Sequence, residues 1–386
     1  MTVDLGSLRQ DYTDTTVQVY AGAGSWSALP DLLAEMGSAR PFLVCGPQVA
    51  TLPEIRALGN LAGAFMQVES DPSDATIAAA GQAARAAQAD LILAVGGGSS
   101  LDAAKAIAAE ALAPDWIAAA DRPGQATELP AGALPVLAVP TTAGTASEVT
   151  PFAVITFLAT QHKLVLNHPA LLPRAALLDP NLLLSAPREA RVAAGLDALT
   201  HGIESYVSRQ ATEATRARSQ EAVLEIARHL PRGAAEHPHV DSLGHLQRAA
   251  LLAGLAFSKT RLGVVHALAL PLSVLFGVPH GVANAILLPH GILFNIPAAG
   301  ALYGNLSLAF RVQSSGRDAE PSAERLLQGV RELATGIGSP TRLRDVGVSR
   351  GVFGRMAQEA AQSAHLATNP RPADLSDLIE IYKAAY

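Results

Sequence analysis

Short apolar runs, each closed by a turn bearing Gly, Pro or Thr and followed by an alanine-rich amphipathic stretch, recur through the first half of the chain. TVQVYAG, PFLVCG, AFMQVE, DLILAVGGG and LPVLAVP read as strands; WSALPDLLAEMG, SDATIAAAGQAARAAQA and LDAAKAIAAEAL read as the helices between them. Apolar strands alternating with helices predict a mostly parallel sheet with crossover helices. FAVITF and HKLVLN add two short strands, and RAALLDP is the last strand of this half. Residues 113–134 mix Pro, Gly, Asp and Thr and predict a loop excursion.

Beyond Pro187 the apolar positions fall into the 3.6-residue period and strand candidates become few. The division expected is an α/β domain over 1–186 and an all-helical domain over 187–386. From Leu262 to Phe310 there is no Asp, Glu, Lys or Arg. That run is long enough to span a bilayer, but Pro271, Pro279, Pro289 and Pro297 divide it, and no piece offers the ~20 unbroken apolar residues of a spanning helix. The expectation is a set of short buried helices.

Composition narrows the function classes. A chain of 386 residues, 49% hydrophobic and 16% charged, can build two domains with substantial cores. Its net charge of −6 is mild and no Lys/Arg run tracks a phosphate backbone, which argues against a nucleic-acid partner. The single cysteine, Cys45, lies in an apolar strand and excludes an intramolecular disulfide, in keeping with a reducing cytoplasm. The acidic first residues lack the apolar core of a secretory signal and the arginines of a transit peptide.

Two turns carry candidate phosphate chemistry. In LILAVGGGSSLDAAKAIA a strand leads through Gly96, Gly97 and Gly98 into a helix, with Ser99 and Ser100 in its first turn. Glycines admit a pyrophosphate to the backbone and the helix N-terminus favours an anion, although a bare turn of this form also serves simply to reverse the chain. A second polar turn, with Thr141, Thr142, Gly144, Thr145 and Ser147, also follows a strand, at the edge where α/β proteins bind ligands.

Four side chains suggest a metal. Asp197 and His201 are four apart in a helical segment and leave the same face, while His266 and His280 sit in the uncharged run. Singly, each reads as a satisfied core residue. Jointly, one carboxylate and three imidazoles suit Fe(II) or Zn(II), with room for a substrate oxygen. Lys259 and Arg261, just before His266, read either as a solvated helix end or as a cationic clamp for a substrate carboxylate or phosphonate. His162, His168, His229, His237, His239, His245 and His365 lie in polar or loop-like contexts and are expected at the surface; His290 is expected in a structural role.

GGGSSLDAAK, PTTAGTASEVT, AAGLDALTHGIESYVS and GVVHALALPL followed by GVPHGVANAILLPH resemble, in order and spacing, the segments of the iron-containing (group III) alcohol dehydrogenase family. The resemblance implies a dehydroquinate-synthase-like fold: an α/β N-terminal nucleotide-binding domain, an all-α C-terminal metal-binding domain, and the active site in the cleft between them. It implies that Asp197, His201, His266 and His280 are the metal ligands. Gly97, Gly98, Ser99, Asp102, Thr141, Thr142 and Lys163 then fall on cofactor-contact segments. The implied reaction is hydride transfer between NAD or NADP and a small aldehyde or ketone, with the metal as Lewis acid.

The chain departs from the family pattern at two positions. Leu270 stands where members carry a second histidine that relays a proton, and an aliphatic side chain cannot do acid–base work. Gly46 stands where NAD-preferring members place an Asp against the adenosine ribose, and its absence leans toward NADP. Two alternatives remain: a sugar-phosphate cyclase, which regenerates its NAD in each cycle and shows no net hydride turnover, and a non-catalytic nucleotide- and metal-binding relative. By resemblance alone, TVQVYAG is a strand through which a homodimer would pair.

Overall fold

A computed structural model describes residues 4–120, 129, 132–160, 162–310 and 322–386. The chain forms two compact units, Met1–Thr142 with Ala146–Ala186, and Ala143–Thr145 with Pro187–Tyr386.

The first unit carries strands β1 (Arg9–Gln10), β2 (Gln18–Ala21), β3 (Pro41–Cys45), β4 (Gly63–Phe65), β5 (Leu91–Gly96), β6 (Val136–Pro140), β7 (Phe152–Phe157), β8 (His162–Asn167) and β9 (Ala175–Leu178). Its helices are α1 (Leu5–Leu8), α2 (Leu29–Glu35), α3 (Pro53–Arg56), α4 (Asp74–Ala86), α5 (Gly98–Leu112) and α6 (Trp116–Ala120). Seven strands form one sheet in the order β1-β2-β9-β6-β5-β3-β4, and β7 and β8 make a separate antiparallel hairpin. All neighbours in the large sheet are parallel except β1 and β2.

The alternation of side chains along buried strands explains the two-sided core. Val44, Ile92, Ala94 and Ala138 join α4, α5 and the β7–β8 hairpin on one face, while Leu43, Cys45, Leu93, Val95 and Val139 join Leu29, Leu32 and Ile55 on the other. The short helix α6 falls within the segment expected as a loop; residues 121–128, 130 and 131 of that segment lie outside the described residues.

The described residues of the second unit are helical: α7 (Arg188–Val207), α8 (Glu213–Gly233), α9 (Val240–Thr260), α10 (Val264–Phe276), α11 (His280–Leu306), α12 (Ala323–Gly336), α13 (Phe353–Ala360) and α14 (Leu375–Ala384), with short 3-10 turns between. Helix α7 packs against α8, α9 and α11, and α11 also meets α10, α12 and α14. The uncharged run is not a set of short helices. Pro271 lies inside α10, and Pro289 and Pro297 lie inside the 27-residue α11, so only Gly277–Pro279 breaks the run. A proline removes one backbone donor and crowds the preceding turn, and packing on neighbouring helices holds α11 helical across both sites. His280–Phe310 is thereby long and apolar enough to cross a membrane by length and composition, with half of its most apolar window buried within the protein. It packs against α7, α10, α12 and α14, as a core helix does.

Candidate metal centre and nucleotide-binding turns

Three helices of the second unit bring the predicted ligands together. Asp197 and His201 leave one face of α7, His266 comes from the first turn of α10, and His280 opens α11. Gly281 makes this approach possible: a Cβ there would lie 2.1 Å from the Ala193 carbonyl oxygen on α7, so only glycine lets the start of α11 reach that helix. The Nε2 atoms of His201, His266 and His280 stand 3.7, 3.7 and 3.9 Å from Asp197 Oδ1. Those separations are too long for hydrogen bonds. They are close to the ~3.4 Å between two ligand atoms that share one tetrahedral ion at ordinary metal–nitrogen distances.

Hydrogen-bond accounting tests the fit. Asn284, four residues after His280 on α11, places Nδ2 at 2.7 Å from Asp197 Oδ1, 3.1 Å from His266 Nε2 and 3.2 Å from His280 Nε2. An amide has two N–H groups for these three acceptors. Buried His201 Nδ1 and Asn284 Oδ1 have no hydrogen-bond partner. These buried atoms leave the cluster with hydrogen-bonding capacity unmet, and a divalent cation suits its one-carboxylate, three-imidazole set.

Glu204 orients this set. It lies seven residues after Asp197, on the same face of α7, and its Oε2 is 2.6 Å from His266 Nδ1. The carboxylate also accepts N–H bonds from Gly263 at 3.0 Å and Val265 at 2.7 Å, anchoring the start of α10. Such a carboxylate fixes the imidazole tautomer so that Nε2 is free to ligate. Asn369 accepts from Val264 N at 3.1 Å and trades amide hydrogen bonds with Asn295. The spacing Asp197, His201, Glu204 is i, i+4, i+7, a periodicity that marks Glu204 as part of the same face.

Charge follows the geometry. Burial alone would push the Asp197 carboxyl up, but the surrounding imidazoles outweigh it and hold the group well below the usual carboxylate range. Burial, reinforced by His266 and His280, lowers His201 to about 4. For His266 burial acts in the same direction, yet the carboxylates of Asp197 and Glu204 overcome it and lift the imidazole to about 9.

The surroundings correct one expectation. His365 is not a surface residue: it is half-buried, with its ring 6.1 Å from that of His266, and the positive charge of Arg261 reaches it. Lys259 is exposed and Arg261 half-buried, both at the C-terminal end of α9. Arg261 adopts φ 58° and ψ −170°, a backbone region that side-chain-bearing residues rarely enter. Leu270, one turn beyond His266 on α10, brings no titratable group.

In the first unit, Gly96, Gly97 and Gly98 join β5 to α5. Gly96 has φ 151°, and a Cβ there would strike Ser100 at 2.5 Å. A Cβ on Gly97 would stand 3.3 Å from Thr142 Oγ1, so bare glycine backbone faces the second turn at the N-terminus of a 15-residue helix. That is the shape of an anion cradle. The second turn is held from beneath by fully buried Lys105, whose Nζ donates to the carbonyls of Ser147 at 2.9 Å, Thr150 at 3.1 Å and Phe152. Asp102 accepts from Ser147 Oγ and from Val154 N at 2.9 Å, so its carboxylate serves the turn directly. Ser99 accepts from the backbone N–H of Asp71, and Lys163 pairs with the Asp71 carboxylate at 2.7 Å. Gly46 directly follows β3, where a Cβ would lie 3.1 Å from the Val68 carbonyl. Neither Lys105 nor Asp71 stands out from the sequence: a lysine in an alanine-rich helix resembles a surface residue until its burial is seen.

A parallel α/β unit with paired glycine- and threonine-bearing turns, followed by a helical unit that gathers one aspartate and three histidines, is the arrangement expected of a metal- and nicotinamide-dependent dehydrogenase. The model of the iron-containing alcohol dehydrogenases matches residues 16–180, and that of the C-terminal region of the Fe-containing alcohol dehydrogenase family matches residues 191–386. The 1,3-propanediol dehydrogenase of Citrobacter freundii is 35% identical over 87% of this chain and 86% of its own length. The lactaldehyde reductase of Escherichia coli (strain K12) is 33% identical over 95% and 97%. Among solved structures, the sulfoacetaldehyde reductase of Bifidobacterium kashiwanohense in complex with NAD+ superposes with a TM-score of 0.87 at 25% identity, covering 97% of this chain and 98% of that one. The chain belongs to the iron-containing alcohol dehydrogenase family. It is an oxidoreductase of the alcohol dehydrogenase type, and the family implies a metal and NAD(H).

Proposed function

We propose that this enzyme reduces a small aldehyde or ketone, with the reverse alcohol oxidation available, using Fe(II) or Zn(II) held by Asp197, His201, His266 and His280. The observation that carries the reading is the convergence of three imidazole Nε2 atoms within 3.7–3.9 Å of one Asp197 oxygen. When bound, the metal polarises the substrate oxygen and the nicotinamide supplies or accepts hydride.

The chain's own residues do the rest. Glu204 and Asn369 hold His266 and the start of α10 in place. Gly96, Gly97, Gly98, Ser99, Thr141 and Thr142 cradle the pyrophosphate, Asp102 and Lys105 keep the second turn rigid, and Lys163 with Asp71 closes the edge of that surface. No side chain at 270 shuttles a proton, so the proton reaches the product oxygen through water or a ribose hydroxyl. Gly46 leaves the adenosine ribose free of a carboxylate, so NADPH is accepted beside NADH. Lys259 and Arg261 favour a substrate bearing a carboxylate, sulfonate or phosphonate. The sulfoacetaldehyde reductase named above supports this, since its aldehyde is anionic. We place the enzyme in the cytoplasm as a homodimer.

The test is metal analysis joined to oxidation of NADH and NADPH across neutral and anionic carbonyl compounds, in wild type and two variants. Asp197→Ala is expected to lose bound metal and turnover together; undiminished turnover would overturn the ligand assignment. Arg261→Ala is expected to lose kcat/KM selectively on anionic substrates, and equal loss on a neutral analogue sinks the clamp.

A further inference from the structure

Outside the Asp197 cluster, helices α8 and α9 bring a second group of metal-type donors together. Glu225 and His229 are four residues apart on α8, and Asp241 and His245 are four apart on α9, so each helix presents a carboxylate and an imidazole on one face. The imidazole rings of His229 and His245 lie face to face, 4.0 Å apart and within 7° of parallel. Both reach toward the same oxygen: His245 Nδ1 is 2.6 Å and His229 Nε2 is 3.8 Å from Glu225 Oε2. One donor atom from each of the three residues falls within a sphere that a single ion can bridge. The surface position expected for both histidines holds only in part. His229 is buried, and His245 alone of the two is substantially exposed.

We infer that Glu225, His229 and His245 form a second divalent-metal site, suited to Zn(II) or a similar borderline first-row ion, that fastens α8 to α9. Two imidazoles and one carboxylate are the donor set such ions take, with water completing the shell. One outer contact fits as well. His229 Nδ1 lies 3.4 Å from Ser242 Oγ, which directs the remaining Nε2 toward Glu225. Asp241, exposed and 4.0 Å from His245 Nε2, adds negative charge beside that ring without a hydrogen bond to it.

Without an ion, His245 Nδ1 and Glu225 Oε2 share a 2.6 Å hydrogen bond that must open to admit one, while His229 Nε2, at 3.8 Å, is too far from that oxygen to share in it. Protonating both stacked rings sets two positive charges against each other. Burial and the neighbouring His245 hold His229 below its ordinary value, which keeps the lone pair available. His245, at 42% side-chain exposure, opens a path for the ion. The site shares no residue with the Asp197 cluster.

Calorimetric titration of the metal-stripped full chain with Zn(II) decides the matter. Wild type is expected to bind one equivalent more than either His245→Asn or Glu225→Gln, whatever the Asp197 cluster does in all three. Equal stoichiometry in the three proteins would overturn the site. A second readout avoids the first cluster: Zn(II) is expected to raise the melting temperature of Asp197→Ala but not of Asp197→Ala combined with His245→Asn. An identical shift in both assigns the stabilisation to other surface histidines and overturns the inference. His237 and His239 are unchanged in every variant, so their contribution cancels. Because His245 is partly exposed, its replacement leaves the helix pair folded, and Glu225→Gln provides the same comparison from the other helix.

Discussion

Glu204 and Arg261 carry opposite lessons about what a single residue is kept for. Glu204 receives three N–H donors, from Gly263, Val265 and His266. Burial pushes its carboxyl up, but the His266 hydrogen bond and charge and the two backbone donors more than offset this and keep it ionised. Glutamine at this position has one acceptor oxygen, and its NH2 must face at least one of those donors. Glu204→Gln is therefore expected to weaken metal affinity by about 10–100-fold, read by chelator competition, and to lower the melting temperature. Unchanged metal affinity would show that His266 is oriented without it. Arg261, in contrast, occupies backbone space that costs a non-glycine residue roughly 1–3 kcal/mol. Thr260 Oγ1 donates to its carbonyl at 2.9 Å, and the Arg261 N–H closes on Phe257 O at 2.9 Å, which together hold the strained turn. Arg261→Gly is expected to raise the melting temperature while lowering kcat/KM for anionic carbonyl compounds. A fall in both quantities would mean the arginine is retained for packing rather than for its charge.

At the scale of elements, the turn from Thr141 to Thr150 depends on two buried ionisable groups. Lys105 binds its carbonyls, and burial lowers that ammonium even though Asp102 and Glu148 partly restore it. Burial raises Glu148 to about 7, against the opposing pull of its own backbone hydrogen bond and of Lys105. Between about pH 4.5 and 7 the folded chain thus holds a proton on Glu148 that the unfolded chain has released, so this residue's contribution to stability declines as pH rises through that window. Glu148→Gln is expected to gain melting temperature relative to wild type at pH 8 and to show little difference at pH 4.5; the reverse order would mean Glu148 is stabilised as a charge. These groups also show where sequence reading stops. The strands, the helix starts and the Asp197–His201 pair are legible because periodicity and turn chemistry are local, whereas His266 and His280 join them only through the uncharged run and the family resemblance. Lys105 and Glu148 are not, since their burial is created by segments tens of residues away. Nor is the continuity of α11 through Pro289 and Pro297: proline penalises an isolated helix, and tertiary packing overrules it here. His365 and His229 escape a sequence reading for the same reason, because polar neighbours along the chain say little about which helix lies opposite.

Across the whole molecule, the buried histidines tie stability to acid. Burial, with help from Arg331, lowers His290 to about 4, and burial with nearby positive charge brings His201 and His365 to about 4 as well. An unfolded histidine takes up its proton near pH 6.5. Between about pH 6.5 and 4 these three positions bind more protons in the unfolded chain than in the folded one, so their contribution to stability is present above that window and is lost as pH falls through it, opposite in sign to the contributions of Glu148 and His266. Metal retention runs in the same direction, because protons compete with the ion for imidazole nitrogen. The two effects separate at His290, which lies on α11 ten residues from His280 and belongs to neither proposed metal cluster. In the metal-stripped chain the melting temperature is expected to fall steeply from pH 6.5 to 4.5, and His290→Gln is expected to flatten part of that fall while leaving the value at pH 7.5 nearly unchanged. If wild type and variant keep parallel curves under chelation, the acid lability belongs to the other buried histidines and burial beside Arg331 does not hold His290 below its ordinary value.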